Sequence, residues 1–362
     1  MISNQVIYNC IEEVKAISKK DMLVADSFGQ VIAKTDSIGV PDKKTILSFM
    51  ESEADSQEIL GQFYIRIPDD NNSSYALVTS SDDEGHLVGR LAAAQIKNLV
   101  IAYKTQVDRN SFFQNLLLDN LLLVDIYNRA QKLHIEPVQK RCVFVIEPVG
   151  QRQTNLIDIV RELFYTEAGD FITAVDEKHV VIIKALQSGD TEEDLAETAK
   201  MLVDMSGSEA MIDVRVAYGS IVDEIKGVSK SYKEAKLAIE VGKIFYPLKR
   251  TICYSTLGIG RLIYQLPVNL CRLFVREIFG DEIPEEIDDE ILATVDKFFE
   301  NNLNVSETSR QLFIHRNTLV YRIEKLQKAT GLDVRIFDDA LTLKIALMVV
   351  NYMKYIEENE AG

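Results

Sequence analysis

The chain has 362 residues, which is enough for two or three domains with separate cores, and its composition is that of an ordinary globular protein. Its 56 acidic and 40 basic residues give a net charge of −16, which excludes a chain that is basic throughout. Such a charge disfavours non-specific attraction of the whole molecule to nucleic acid or to anionic lipid.

The four cysteines are far apart in the sequence, which indicates reduced thiols rather than a disulfide framework. The four histidines are equally scattered, so no group of histidines and cysteines has the spacing of metal ligands. We therefore expect no metal and no cofactor. The N-terminus lacks the apolar core of a signal peptide, and the longest strongly apolar run, residues 345–353, is too short to span a bilayer. These features predict a cytoplasmic protein without a membrane partner.

The first 85 residues or so predict a small α+β module of PAS- or GAF-like size. Apolar residues recur at helical spacing over 2–18, and 21–40 has the pattern of a β-hairpin. The runs QFYIRI and YALVTS predict two more strands, joined by the turn-rich PDDNNSS.

A long helix is predicted from about Asp83 to beyond Tyr103. Five of its residues recur at spacings of four and three, and one is an asparagine, which would fix the register of a coiled coil. The alternative is an amphipathic helix packed on its own domain. The five are Leu87, Leu91, Ala94, Asn98 and Ile101. The apolar segment that follows predicts continued helix up to a break near Pro137.

Strands and helices then alternate, as in an α/β domain of ordinary size. RCVFVIEP predicts a first strand, FITAVDEKHVVIIKAL a hairpin, and VRVAYGS a further strand. Helices are predicted over 154–168, 191–205 and 228–242, and two more cover LGIGRLIYQL and NLCRLFVREIF. GDEIPEEIDDE has the composition of a linker, and the rest of the chain is predicted to be helical.

These elements predict an α+β multidomain protein. The sensor with its long helix covers 1–108, a helical linker 109–136, the α/β domain 137–250, a second helical linker 251–288 and an all-α domain 289–358.

The all-α domain has the plan of a helix-turn-helix. Ser306 can cap a short helix that ends at Leu312, and a longer helix is predicted from about His315 to Ala329, with Gly331 just after it. On that longer helix, three apolar residues at i, i+4 and i+7 are predicted to pack inward, namely Leu319, Ile323 and Leu326.

The opposite face is predicted to meet DNA. The first residues of a recognition helix reach base edges, so Arg316, Asn317 and Thr318 are expected to read sequence. Phosphate contact is expected mainly from Arg322 and Lys325. Tyr321 can stack on a sugar or cover the edge of the core. Residues 305–335 hold six basic and three acidic residues, a net +3, so the remainder carries −19. A solvated polar face is the alternative interpretation.

The segment from LNVSETSRQLFIHRNTLVYRI through TGLD and FDDAL resembles the C-terminal helix-turn-helix of the PucR/CdaR (sugar-diacid regulator) family. The resemblance covers about fifty residues and implies a bacterial, sequence-specific transcription regulator that binds double-stranded DNA. VAYGS and SYKEAKLAIEVG resemble the GGDEF-like domain of the same family. Diguanylate cyclases carry a glycine pair on a hairpin, whereas this hairpin reads AVDEKHVVI, so the domain is expected to be degenerate and the protein not an enzyme.

The N-terminal run VADSFGQVIAKTDSIGV resembles the family's sugar-diacid recognition domain. The resemblance implies that Asp26, Asp36, Ser37 and Asp42 contact an effector such as a carboxylate or sugar acid. Ser37 and Asp42 stand where the family has arginine and histidine, and an arginine would pair a carboxylate bidentately. Asp26 has a second interpretation as a hairpin-turn residue.

The sequence therefore favours an effector-responsive regulator that binds DNA as a homodimer or higher homo-oligomer, since one short helix reads few base pairs. Two other classes stay open at this point. One is a nucleotide-processing enzyme in the middle domain, and the other is an adaptor whose C-terminal bundle binds protein.

Overall fold

The computed structural model describes residues 2–68, 75–150, 155–164, 166–280 and 289–360. The chain divides into two compact units, Met1–Phe113 and Gln114–Gly362. Among the described residues, no helix is both long enough and apolar enough to cross a membrane.

The first unit is a five-stranded antiparallel sheet in the order β2-β1-β5-β4-β3 with helices on both faces. The predicted N-terminal helix, hairpin and strands are confirmed, whereas α2 and β3 were not predicted. The turn PDDNNSS lies almost wholly outside the described residues. The elements are α1 (Asn4–Ser18), β1 (Met22–Ala25), β2 (Val31–Lys34), α2 (Lys43–Glu51), β3 (Ser56–Ile59), β4 (Gln62–Ile67), β5 (Tyr75–Ser80) and α3 (Asp83–Leu117).

Strand β1 shows how this sheet is buried on both faces. Met22 and Val24 pack with α1 and α3, while Leu23 and Ala25 pack with Ile46 and other residues on the side of α2. Successive side chains of a strand point to opposite faces, so an all-apolar run is what a sheet between two helical layers requires.

Helix α3 is as long as predicted, and it divides into two sides. Residues such as Ala92 and Ile96 are buried in the core of the first unit. The five residues of the predicted seam are all exposed, with Leu87 and Leu91 more than 60% accessible. The core of the unit therefore uses the other side of the helix and leaves the seam uncovered.

The expected continuation of helix to Pro137 is wrong. α3 ends at Leu117, and α4 covers Leu123–Lys132. Asp119 between them has a left-handed φ of 63°. Its carboxylate accepts from Ser229 and Lys233, and these contacts lower the pKa of Asp119, with Lys233 the larger cause. These tertiary contacts fix the break, which local helical spacing cannot reveal.

The second unit begins with a mixed five-stranded sheet in the order β10-β9-β6-β8-β7, in which β9 and β10 alone are parallel neighbours among the described strands. The predicted strands, hairpin and helices are confirmed with shifted ends, but the edge strand β10 was not predicted. The elements are β6 (Arg141–Pro148), α5 (Leu156–Leu163), β7 (Phe171–Ala174), β8 (Val180–Ala185), α6 (Glu192–Ser208), β9 (Val214–Tyr218), α7 (Val228–Phe245) and β10 (Thr251–Cys253).

The side chains of the central strand β6 point alternately to the face covered by α5 and α6 and to the face covered by α7. Cys142, Phe144 and Ile146 belong to the core that α5 and α6 cover. The alternate residues face α7, which lies close because β9 is followed by Gly219, where a Cβ would fall 2.1 Å from the Ser231 carbonyl oxygen. This alternation places Glu147, at the end of β6, on the side of α7.

The C-terminal part is all helical, as predicted. Residues 281–288, most of the predicted linker, lie outside the described residues. The helices are α8 (Gly260–Tyr264), α9 (Val268–Phe279), α10 (Asp289–Glu300), α11 (Val305–Gln311), α12 (Arg316–Thr330) and α13 (Phe337–Glu360). Tyr352 and Tyr355 on α13 bond to the Tyr264 carbonyl and to Glu240 of α7, which ties the helical domain to the middle domain.

Candidate nucleic-acid interface

Helices α11 and α12 form the predicted helix-turn-helix, with different caps from those expected. Asn304, not Ser306, caps α11, because its side chain accepts from the Glu307 amide at 3.1 Å. His315 caps α12, because its Nδ1 accepts from the Asn317 amide at 3.2 Å. Asparagine is among the strongest N-cap residues, whereas histidine is outside the usual set and was therefore assigned to the helix itself.

The turn between the two helices depends on a non-glycine residue with positive φ. Phe313 has φ 56° and is 96% exposed. The Ile314 amide then donates to the Ser309 carbonyl at 3.1 Å, which closes the end of α11. A large apolar side chain in this backbone region is rare, and the sequence gives no local signal for it.

The inner side of α12 packs as predicted. Leu319, Ile323 and Leu326 are each no more than 1% exposed. They join one core with α10 and α13, whose members include Val295 and Leu343. Gly331 ends the helix with φ 76°, the left-handed C-cap expected of glycine. The helix is therefore fixed in rotation, and its other face is defined.

The first two turns of α12 present four polar or aromatic side chains to solvent. Arg316, Asn317, Thr318 and Tyr321 are exposed, and their side chains make no hydrogen bond or ion pair with any residue that the structure describes. Because no described residue holds them, their donors and acceptors are available to a ligand. The predicted base-reading residues thus lie together at one end of one helix.

Arg322 does not lie on the exposed face that was predicted to meet DNA. Its side chain is 17% exposed, and it donates to Thr294 Oγ1 at 2.9 Å and pairs with Glu290 Oε2 at 2.9 Å. Both partners are on α10. The reason is rotational, since position 322 is three residues from Leu319 and one from Ile323, at the edge of the buried stripe.

The positive charge of the domain is partly committed to local pairs. Arg310 pairs with Glu307 and Arg335 with Asp333, each at 2.7 Å, and these contacts lower the pKa of both carboxyl groups. Lys325 is half-buried. Lys328 is exposed and, among the described residues, has no ion-pair partner. Lys328 is therefore a cation on this helix that the site prediction omitted, although its position one turn beyond Lys325 could have indicated it.

The four candidate effector residues are not brought into contact with one another in the described structure. Asp26 Oδ1 accepts the amides of Phe28 and Gln30 at 2.9 and 2.8 Å, which is the turn interpretation. Asp36 and Ser37 are exposed after β2, and Asp42 precedes α2 without making a side-chain cap.

Comparisons with known proteins agree with the two domains of the second unit. Residues 291–349 match the PucR C-terminal helix-turn-helix domain, and 120–241 match a GGDEF-like domain. The "Carbohydrate diacid regulator" of Escherichia coli is 29% identical over 61% of this chain and 60% of its own length. The "DNA-binding transcriptional activator AdeR" of Bacillus subtilis is 23% identical over 72% and 65%.

The chain therefore spans less than two thirds of these relatives. A solved structure, the "Regulator of Polyketide Synthase Expression" of Bifidobacterium adolescentis, is 18% identical, with 68% of this chain and 93% of that chain covered, at a TM-score of 0.33.

Proposed function

Because the chain belongs to the PucR/CdaR family of regulators, we propose that it is a bacterial transcription regulator that recognises a specific sequence of double-stranded DNA through α12. It acts in the cytoplasm, where bacterial DNA lies. The relatives named above are described as a regulator and a DNA-binding transcriptional activator, which supports the proposal.

The observation that carries the proposal is the exposed, unpaired first turn of α12 above a fully buried reverse face. Arginine can bond guanine bidentately, asparagine can do the same with adenine, and threonine can contact either a base or a thymine methyl group. We assign these roles to Arg316, Asn317 and Thr318. Tyr321, 65% exposed one turn later, lies at the edge of the same surface.

Phosphate contact falls to Lys325 and Lys328 in this proposal. A lysine that approaches phosphate releases condensed counterions and makes affinity depend on salt without reading sequence. Arg322 joins them only if it leaves Glu290, so its primary role here is to hold α12 against α10.

The proposal is tested by selecting fragments of genomic DNA with the purified full-length protein and sequencing what is retained. The expected result is enrichment of fragments that share one sequence motif, and loss of that enrichment for Asn317→Ala. Retention of DNA without a common motif would contradict sequence-specific recognition, and no salt-sensitive binding at all would favour an adaptor.

We propose further that two copies associate through the exposed side of α3. The five seam residues alternate by four and three, so a parallel second copy would place identical residues opposite each other, and Asn98 would fix the register. Leu91→Asp should weaken self-association at least roughly tenfold. The matched control is Leu60→Asp, at a leucine that is 91% exposed outside the seam. Sedimentation equilibrium that detects no dimer of the parent protein would contradict this model.

The first unit is proposed as the effector-responsive domain, of PAS- or GAF-like type. Its sheet, which has helices on both faces, and the resemblance of VADSFGQVIAKTDSIGV to the family's recognition domain support that role. The effector shifts the protein between states for which it has different affinity. Since Ser37 replaces an arginine, glycerate or glucarate should stabilise the protein by far less than the roughly 2.7 kcal/mol that a ligand adds at a hundred times its Kd. Thermal unfolding with each compound measures this.

The middle domain is proposed to have no cyclase activity. The turn between β7 and β8 contains Asp176 and Glu177 but no glycine, and Asp176 is engaged by His179. A phosphate cradle needs close backbone approach, which glycine permits. Incubation with GTP and Mg²⁺ should yield no cyclic dinucleotide, and product that disappears on changing both acids to alanine would contradict this.

A further inference from the structure

A cluster of polar side chains lies at one end of the middle sheet, far along the chain from the DNA-contacting helix. Glu147 is the penultimate residue of β6, His179 precedes β8, and Glu240 is on α7. One ligand atom from each of the three lies within 4.8 Å of the others. Glu147 and His179 are both more than nine-tenths buried.

His179 is oriented so that one ring nitrogen faces this cluster without a hydrogen-bond partner. Its Nδ1 is 2.8 Å from both carboxylate oxygens of Asp176. A carboxylate only accepts, so Nδ1 carries a hydrogen, and in the neutral imidazole the lone pair of Nε2 then faces the cluster. Nε2 is fully buried and has no hydrogen-bond partner among the described residues. Its contact with Glu147 Oε1, at 3.5 Å, is longer than an ordinary hydrogen bond.

The 3.5 Å between His179 Nε2 and Glu147 Oε1 is close to the distance between two ligand atoms of one metal ion. A tetrahedral ion with bonds of about 2.1 Å to nitrogen and oxygen holds its ligand atoms roughly 3.4 Å apart. The Asp176–His179 contact also matches the arrangement in which a carboxylate fixes the tautomer of a metal-binding histidine.

The carboxylates around the cluster outnumber the basic side chains by one, so a bound cation would improve the charge balance. Glu147, Asp176 and Glu240 are balanced by Lys243 and by Arg215, which is opposite Glu147 in the β6–β9 ladder. With a neutral imidazole, one negative charge remains. Buried carboxylates need such compensation because an unpaired charge in the interior is costly.

Lys243 currently holds the two glutamates together, with Nζ 2.7 Å from Glu147 and 2.9 Å from Glu240. Its side chain is 24% exposed and that of Glu240 is 23% exposed. The ammonium group of Lys243 can therefore move into solvent when an ion binds. The carboxylates of Glu147 and Glu240 are already close to each other and can then contact the ion.

We propose that Glu147, His179 and Glu240 form a binding site for a divalent transition-metal ion such as Zn²⁺, with Asp176 orienting the histidine. Imidazole together with carboxylate suits such ions better than Mg²⁺, which prefers an all-oxygen shell. The second oxygen of Glu240 accepts from Tyr355 of α13 at 2.9 Å, so the site borders the contact between the middle and helical domains.

The test is a Zn²⁺ titration of the metal-stripped full-length protein against a chromophoric chelator. The expected result is one Zn²⁺ per chain that an equal concentration of Mg²⁺ does not displace. His179→Ala should lose at least tenfold in affinity. Asp176→Asn should lose roughly 10–100-fold, the usual effect of removing a group that orients a metal ligand.

The variants are chosen so that a loss of affinity is not caused by unfolding or by the loss of just any histidine. Asparagine at 176 keeps an oxygen that can accept the Lys178 and His179 amides, so the turn should survive, and circular dichroism verifies this. The matched control is His134→Ala, which removes an exposed histidine and should leave the affinity unchanged. No stoichiometric Zn²⁺ on the parent protein, or an affinity in His179→Ala and Asp176→Asn equal to that of the parent, would overturn the proposal.

Discussion

The two polar clusters of the second unit differ in how their side chains are satisfied. On the first turn of α12, Arg316, Asn317 and Thr318 are exposed and have no described partner within the protein. At the end of β6, Glu147 is buried and bonded to Lys243. Polar groups left open to solvent contribute little to stability, and their interactions remain available to a ligand. Buried, paired groups are part of the fold, and removing one partner is costly.

The largest change in unfolding free energy is expected for the buried apolar residues of α12, which hold its exposed first turn in place. Leu319 is completely buried in the helical core, so Leu319→Ala removes packing and leaves a cavity. The expected loss is about 2–5 kcal/mol of unfolding free energy. Urea unfolding followed by circular dichroism measures it, with Leu341→Ala on the same domain, 43% exposed, as the matched control. Equal midpoints for the two variants would show that this stripe does not anchor α12.

Removing a charge from the buried cluster should have the next largest effect. Lys243→Met leaves Glu147 and Glu240 without their shared cation. Breaking a fully buried pair costs roughly 3–5 kcal/mol, and partial exposure of Lys243 reduces the expected loss to about 2 kcal/mol. The control is Lys236→Met, an exposed position on the same helix. If both variants unfold at the same urea concentration, the cluster is not structural and the contrast with α12 fails.

A smaller effect is expected where α12 ends. Gly331 has φ 76°, and no heavy atom lies within 4 Å of the place where a Cβ would be added. Gly331→Ala therefore meets only the backbone cost of the left-handed region, about 1 kcal/mol. Gly207→Ala, in a helical position with equal space, should instead stabilise by about 0.5–1 kcal/mol. Opposite signs in thermal unfolding would confirm that conformation, not crowding, sets the cost.

Features of α12 that depend on neighbouring residues could be predicted from the sequence, whereas contacts with other helices and strands could not. The interior and exterior of α12 follow from the spacing of consecutive residues, and Leu319, Ile323 and Leu326 are buried as that spacing predicts. Arg322 was misplaced because its partner Glu290 lies on another helix. The grouping of Glu147, His179 and Glu240 was missed for a similar reason, since tertiary folding brings together segments separated by dozens of residues.

The first unit shows the same limit. The strands of its sheet that are rich in apolar residues were predicted, whereas α2 and β3, which are short and largely polar, were not. The hairpin pattern located Asp26, but its carboxylate is used by the turn amides of Phe28 and Gln30. A ligand's contacts depend on which side chains converge, and a local motif does not contain that information.

The central claim is that the first turn of α12 reads bases, and Asn317→Ala on cognate and scrambled duplexes tests it most directly. Affinities are measured over a range of salt concentrations for this variant and for Lys328→Ala. Asn317→Ala should lose roughly 1–3 kcal/mol on the cognate duplex and little on the scrambled one. Lys328→Ala should weaken both equally and flatten the salt slope by about one unit. If Asn317→Ala lost the same energy on both duplexes, or none on either, α12 would not be the helix that reads sequence.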